Sequence, residues 1–401
     1  MSDFSQADPI VIVGMARTPM GGFQGDFAAL PAWQLGAIAV KGAVEDAGLE
    51  AEHIADIEQA FMGCVLPAGQ GQAPARQAIL SAGLPQSLGC TTINKMCGSG
   101  MQAAMMAHDA LLAGSAETII AGGMESMTNA PYLLAKMRAG ARIGHGEVKD
   151  SMFLDGLEDA YDKGKLMGAF AEQTARHYQF TREAQDNYAI TSLNRANAAI
   201  DKGYFKDEIS PVTVTSRKSD MVYDTDEQPG KARIDKIPTL RPAFAKDGTV
   251  TAANASSISD GAAALILMKQ SAAINRGLTP IAKIVSHSSH AHAPEWFSTA
   301  PIDAIKKLYD KTGWTDDDVD LYEINEAFAV VTMAAMQELN LNHDKVNIHG
   351  GACAMGHPIG ASGARILVTL IAALKTHDLK RGIASLCIGG GEATAMAVEL
   401  M

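Results

Sequence analysis

The chain is poor in the features that mark specialised protein classes. Aromatic residues fill only 5% of its 401 positions, and there are five cysteines. So few thiols, odd in number and widely scattered, read as reduced cytosolic cysteines rather than a disulfide framework. No apolar run reaches bilayer length. The longest, Ile366 to Leu374, is nine residues, about half of a membrane-spanning helix. Positive charge is not in excess: 33 Lys and Arg stand against 45 Asp and Glu, a net charge of −12. That argues against a general nucleic-acid or anionic-membrane surface, though a local basic patch can still meet a polyanionic ligand. The start, Met1-Ser2-Asp3-Phe4, lacks the basic and apolar regions of a signal peptide, and Val398-Glu399-Leu400-Met401 carries no address tag. The expected location is the cytoplasm.

What is present is an ordinary globular composition, 47% apolar and 19% charged, rich in Gly (38) and Met (20). At this length two or three packed units are the default. Apolar runs such as Thr118 to Ala121, Ala263 to Leu267 and Ile383 to Cys387 end in Gly or polar turns, and helical stretches such as Gln34 to Ala47 and Met101 to Ala113 lie between such runs. The alternation predicts an α/β fold with a mostly buried sheet. Charge divides the chain: residues 128–250 hold 36 of the 78 charged residues in 123 positions. That segment reads as a more exposed insertion between two apolar halves. The halves resemble each other. Ser99-Gly100 opens a helix leading to Gly122-Gly123-Met124-Glu125, and Ser362-Gly363 opens one leading to Gly389-Gly390-Gly391-Glu392.

Three islands carry chemistry. Cys97, followed by Gly98-Ser99-Gly100, sits before a helix start, where free N–H groups and the helix dipole favour thiolate; a buried inert cysteine is the plain alternative. His357, in Gly356-His357-Pro358, is held extended by the following proline on a glycine-rich loop, suited to acid/base work or simply facing solvent. Cys387 ends a strand ahead of Gly389, Gly390 and Gly391, whose N–H groups suit an oxyanion, or it is a core residue before a tight turn. Asn325, in Asn325-Glu326-Ala327-Phe328, is either a helix N-cap or a holder of water or carbonyl. Cys353 and His357, with His343 and His349 nearby, raise a zinc reading. Pro358 and the glycines break the helix it would need, and no Cys-x-x-Cys pair exists.

Cys97-Gly98-Ser99, Asn325-Glu326-Ala327-Phe328, Gly356-His357-Pro358 and Cys387-Ile388-Gly389, in this order, resemble the four signature blocks of the thiolase family. The likeness extends through Gly14 to Pro19, Gly63 to Arg76, Gly122 to Tyr132, Leu240 to Phe244 and Val346 to Ile366, essentially the whole chain. It implies two duplicated five-layered α/β/α/β/α halves, 1–127 (completed by about 251–275) and 276–401, with a CoA-binding loop domain, 128–250, inserted into the first. It also implies a homotetramer built as a dimer of dimers, no metal and no tightly bound cofactor. The substrates would be coenzyme A thioesters: acetyl-CoA, acetoacetyl-CoA and CoA, as in the acetoacetyl-CoA thiolases. Cys97 would be the acylated nucleophile, with His357 activating it. Asn325 would hold an oxyanion-hole water, Cys387 would move the α-proton, and the Cys97 and Gly389 N–H groups would form a second oxyanion hole. Ser256 keeps the position expected to meet the pantetheine arm, although Ala255-Ser256-Ser257-Ile258-Ser259-Asp260-Gly261 departs from the family's Ala-Ser-Gly-x-Asn-Asp-Gly. Leu166 replaces a histidine often found there, and Phe297 stands where many short-chain enzymes have methionine. Phe297 and Met167 would wall the acyl pocket. Lys231, Arg233 and Lys236 are candidates for the nucleotide phosphates, or a solvated basic face.

Overall fold

The structure is a computed structural model that describes residues 8–215 and 219–401; the Met1-Ser2-Asp3-Phe4 start lies outside them. The strands of the described chain are β1 (Ile10–Arg17), β2 (Gly21–Gly22), β3 (Gln59–Gly63), β4 (Gly89–Ile93) and β5 (Thr118–Ser126), then β6 (Tyr132–Leu134), β7 (Val148–Asp150), β8 (Val212–Thr215) and β9 (Asp220–Tyr223). The last five are β10 (Ser259–Lys269), β11 (Ala282–Ala291), β12 (Leu321–Ile324), β13 (Arg381–Ile388) and β14 (Glu392–Leu400). One mixed sheet runs β12-β13-β14-β11-β1-β10-β5-β3-β4, with β2 on β10. The other four form two separate hairpins, β6-β7 and β8-β9.

The order is a palindrome about the β1–β11 seam. Outward from the seam, β1, β10, β5, β3 and β4 are joined antiparallel, antiparallel, parallel, parallel. On the other side β11, β14, β13 and β12 repeat those senses, and a parallel bridge from Tyr322 to Val346 stands where β4 would be. The expected duplication is therefore present in the pairing itself. Its finer alignment differs from the sequence reading. Helix Ser99–Leu112 feeds β5 as helix Ser362–Thr376 feeds β13, but Gly122 and Gly123 lie inside β5 and not in a turn after it. They are glycines because other backbone of the same chain packs against them: a Cβ on Gly123 would stand 2.1 Å from the Gly360 carbonyl oxygen, and one on Gly122 2.3 Å from that of Ala263.

β1 shows why the sheet is apolar on both faces. Ile10 and Ile12 pack toward a central core with the two helices just named, while Val11 and Val13 pack toward helix Ala32–Asp46. A register shift between Ile12 and Gly14 inverts the alternation, so Met15 joins the central core and Ala16 the outer one. Strands from both halves share the central core. Helix Ala300–Thr312 covers the outer face of the second half. The section through the molecule thus reads helix, sheet, helix pair, sheet, helix. Helix Ser362–Thr376 is buried nearly all round, as a helix between two sheets must be. Each of its large aliphatic side chains contributes about 1.5–3 kcal/mol by burial.

Residues 127–258 lie between β5 and β10, which are neighbours in the sheet. They hold both hairpins and helices Met167–His177 and Arg182–Lys202. Among the described residues no helix is long and apolar enough to cross a membrane.

Candidate active site

Cys97 sits in the turn between β4 and helix Ser99–Leu112. The residue before it, Met96, has φ 47°, a left-handed conformation uncommon for a side chain of this kind. Several contacts hold it there. The Met96 N–H donates to Asn94 Oδ1 (2.9 Å), and Ser99 Oγ accepts from the Lys95 N–H (2.8 Å) while donating to the Met96 carbonyl (2.6 Å). Lys95 pairs with Glu392, just past the β13–β14 turn. A Cβ on Gly98 would stand 2.4 Å from Ile388 Cδ1, so the cysteine turn and the end of β13 are in tight contact.

The half-buried Cys97 thiol faces the Gly389 N–H and its own N–H. Cys387, fully buried, is its neighbour across that contact. Burial pushes the Cys97 thiol up to about 11, helped by the charge of Glu125 and opposed by the two N–H groups. Burial, then the adjacent Cys97, push Cys387 well above the ordinary thiol range. The expected thiolate at a helix start is thereby corrected. Desolvation outweighs the helix terminus, and both sulfurs rest as thiols.

His357 is buried on the loop before helix Ser362–Thr376. Its Nδ1 lies 2.6 Å from Ser362 Oγ, and that hydroxyl also donates to the Pro358 carbonyl (2.9 Å). A hydroxyl has one proton, so Ser362 accepts from Nδ1–H, and Nε2 keeps its lone pair. Nε2 is buried and has no hydrogen-bond partner among the described residues, so it can take a proton from a substrate or thiol. Burial, then the nearby Arg365 charge, pull the imidazole down to about 3. Asn325 Nδ2 is 3.4 Å from the same Nδ1, and Asn325 Oδ1 accepts from Arg365 at 3.4 Å. Asn325 is not an N-cap. The helix after it begins at Ala329 with Phe328 as its flanking residue.

The two groups are tied through backbone. The Asn325 N–H donates to the Ser385 carbonyl (3.0 Å), two residues before Cys387. A Cβ on Gly100 would meet Ala364 N at 2.7 Å and the Ala361 carbonyl at 3.2 Å, so the His357 loop rides on the Cys97 helix. Cys387 is packed with Phe297, Phe328, Phe170 and Ala255, edged by Met167 and Phe244. Met167 Sδ would lie 3.5 Å from a Cβ on Gly389. Ser256 is fixed by its N–H and Oγ, which both donate to the Ala327 carbonyl (3.0 and 2.9 Å).

The basic candidates each have a carboxylate partner. Lys231 pairs with Glu227 and Asp26, and Lys236 and Arg233 pair with Asp235. All three are more than half exposed. Of the residues considered for zinc, Cys353 is spoken for: its N–H and thiol both donate to Glu326 (2.9 and 3.7 Å).

Four polar residues that hold the site together were not singled out for it in the sequence. Glu125 is fully buried at the end of β5 and accepts from the N–H groups of Val65, Leu66 and Gly360 (2.9, 3.2 and 2.9 Å). It thereby links one half to the His357 loop of the other. Burial pushes its carboxyl up to about 7 against those bonds. Glu326 accepts from Tyr188 (2.9 Å), Ser192 (2.8 Å) and Asn347 (2.8 Å). Arg365 pairs with Glu323 (2.9 Å) inside the core. Ser362 fixes the histidine tautomer. The available signal was a charge at the end or centre of an otherwise apolar run, as for Glu125 and Arg365.

Residues 10–271 match the family model described as thiolase, N-terminal domain, and residues 278–400 that of thiolase, C-terminal domain. The chain is 48% identical to the acetyl-CoA acetyltransferase of Cupriavidus necator over 392 residues, 97% of this chain and 99% of that one. Its fold superposes on the crystal structure of the Bacillus anthracis acetyl-CoA acetyltransferase with a TM-score of 0.95 at 39% identity, covering 98% of this chain and 99% of the other. A thiolase from Ascaris suum, solved in complex with coenzyme A, superposes at 0.91 with 40% identity and covers 98% and 100%.

Proposed function

The chain belongs to the thiolase family of acyltransferases, and on that premise we propose that it is an acetyl-CoA C-acetyltransferase. It would condense two acetyl-CoA to acetoacetyl-CoA plus CoA, reversibly, through an acetyl-Cys97 intermediate. The observation that carries this is the pairing of Cys97 with Cys387 beside the Gly389 N–H. One thiol is presented for acylation and a second sits next to it for proton transfer.

In the proposed cycle Cys97 Sγ attacks the thioester carbonyl as its proton passes to His357 Nε2. Neither group need be charged beforehand. Cys387 gives its proton to the departing CoA thiolate and then, as thiolate, takes the Cα proton of the second acetyl-CoA. The resulting carbanion equivalent attacks acetyl-Cys97. Expulsion of the Cys97 sulfur recovers the proton from His357, so every proton returns to its place. A covalent acyl-enzyme divides one hard step into two. Each step develops an oxyanion, for which the Cys97 and Gly389 N–H groups and an Asn325-held water are the proposed donors. Ser256 would meet the pantetheine arm, Met167 and Phe297 the acyl group, and Lys231 and Lys236 the nucleotide phosphates. The reading includes a cytoplasmic homotetramer, which light scattering and fractionation test.

The decisive assay is thiolysis of acetoacetyl-CoA, 2-methylacetoacetyl-CoA and 3-ketooctanoyl-CoA side by side. The aromatic wall of Phe297, Phe328 and Phe244 favours activity confined to the short chains. Comparable turnover of the long chain would instead make this a degradative 3-ketoacyl-CoA thiolase. Cys387→Ser should slow the burst of CoA release only modestly, since a departing CoA thiolate can also take its proton from water, while losing condensation by at least about 100-fold. Equal loss of both steps would contradict the division of labour.

A further inference from the structure

One cluster of ligand-type side chains outside that site has its bonding left open. His290, at the end of β11, and His292 are two residues apart and so share a face of the extended chain. Asp303, in the first turn of helix Ala300–Thr312, brings a carboxylate oxygen to 3.4 Å from His290 Nε2. One ligand atom from each of the three lies within 4.8 Å of the others. His292 Nε2 is 2.7 Å from the Trp296 carbonyl. A carbonyl only accepts, so Nε2 carries the proton and Nδ1 is the lone-pair nitrogen. His290 is the unexplained member: both its ring nitrogens are withdrawn from solvent, and among the described residues neither makes a hydrogen bond, Nε2 only facing the Asp303 carboxylate. The comparable trio His108, Asp109 and His287 differs, because Asp109 binds both imidazoles there at 3.2 and 2.9 Å.

We propose that His290, His292 and Asp303 form a binding site for a divalent transition ion of the zinc class. His290 Nε2, His292 Nδ1 and the Asp303 carboxylate are the ligands, and one position is left for water. Zinc takes imidazole nitrogen and carboxylate oxygen at about 2.0–2.2 Å, which sets tetrahedral ligand atoms about 3.4 Å apart. The His290–Asp303 pair already has that spacing. The Trp296 carbonyl is the outer partner that a ligating imidazole ordinarily needs to fix its tautomer. Asp303 is half exposed and, among the described residues, is otherwise paired only with Lys306, at 3.9 Å, which leaves it able to close on an ion. The His292 N–H donates to the Gly391 carbonyl at 2.8 Å. A bound ion therefore clamps the end of β11, and with it the Gly389–Gly391 turn, to helix Ala300–Thr312.

The test is titration of the chelator-stripped, full-length protein with zinc chloride alone, followed by Tm, with cobalt(II) absorption as a second readout. The expected result is saturable binding of one ion per chain, a Tm raised by roughly 2–4 °C, and nitrogen–oxygen-type cobalt bands. Asp303→Asn and His290→Gln should each weaken binding at least about tenfold, while His287→Ala leaves it unchanged. Asp303→Asn, at a half-exposed position, carries the test if His290→Gln does not fold. Absence of binding, binding unaltered by Asp303→Asn, or thiolate charge-transfer bands placing the ion on Cys97 or Cys387 would overturn the proposal.

Discussion

At the scale of the residue, the resting site is a neutral pair. Cys97 is held up at about 11 and His357 down at about 3, both chiefly by burial. Neither titrates near neutrality, and the nucleophile is made only as the proton moves. Alkylation of Cys97 by iodoacetamide should then rise about tenfold per pH unit from 7 to 10, following the thiolate fraction. A plateau below pH 8 would instead reveal a preformed thiolate–imidazolium pair. Ser362→Ala removes the acceptor that keeps Nδ1 protonated; kcat should fall about tenfold or more with KM little changed. Cys97, His357 and Cys387 were legible because each stands among glycines or beside a proline, an unusual setting for an inert residue. Ser362 and Glu125 were visible only as pieces of a repeat. The partners of Glu125, the Val65, Leu66 and Gly360 N–H groups, are set by the fold and not by local sequence, and the turn that brings Ser362 back onto His357, five residues earlier, left no mark in the pattern.

At the scale of the element, the two central helices cross where neither has a side chain. A Cβ on Gly100 would stand 2.7 Å from Ala364 N, and one on Gly363 would stand 2.3 Å from Met101 N. The obstacle in each case is backbone, which cannot swing aside. Gly363→Ala should therefore destabilise by about 1–3 kcal/mol or more, read as a fall in Tm, and should displace the His357 loop so that activity falls as well. An unchanged Tm would mean that the helices have room to separate. The helices and strands were readable from apolar periodicity, and Ser99-Gly100 and Ser362-Gly363 were correctly paired as helix openings. Two local signals misled. Asn325 sits where an N-cap would, yet no helix starts there; its carbonyl oxygen accepts from Arg365 and its amide nitrogen lies against His357. Gly122-Gly123 looks like a turn, yet it is a crossing point inside β5.

At the scale of the whole molecule, a buried charge cluster fastens distant parts of the chain. Arg17, at the end of β1, pairs with Glu208 and, bidentately at 2.7 and 2.9 Å, with Asp226, while Thr369 of the central helix donates to Glu208 (3.1 Å). Arg17→Met would leave two carboxylates buried without a counter-charge, a loss of about 3–5 kcal/mol at pH 7. Burial already raises the Glu208 carboxyl and Arg17 opposes that rise, so without Arg17 the folded state would bind more protons than the unfolded one, and the variant's deficit should shrink as the pH falls toward 5. A deficit equal at pH 5 and pH 8 would argue that the cluster is not ionic. Composition showed the middle third to be charged; it did not show that some of that charge turns inward.

The sheet order also dictates when the protein can begin to exist. β1 lies between β10 and β11, and its register pairs Ile10 with Lys269. During synthesis the opening strand is therefore an apolar ribbon without neighbours until two-thirds of the chain has emerged, the long-range pairing that slows folding and invites association. Fragments that stop short of β10 should precipitate, whereas a nascent chain shielded until β10 is delivered should reach the native state.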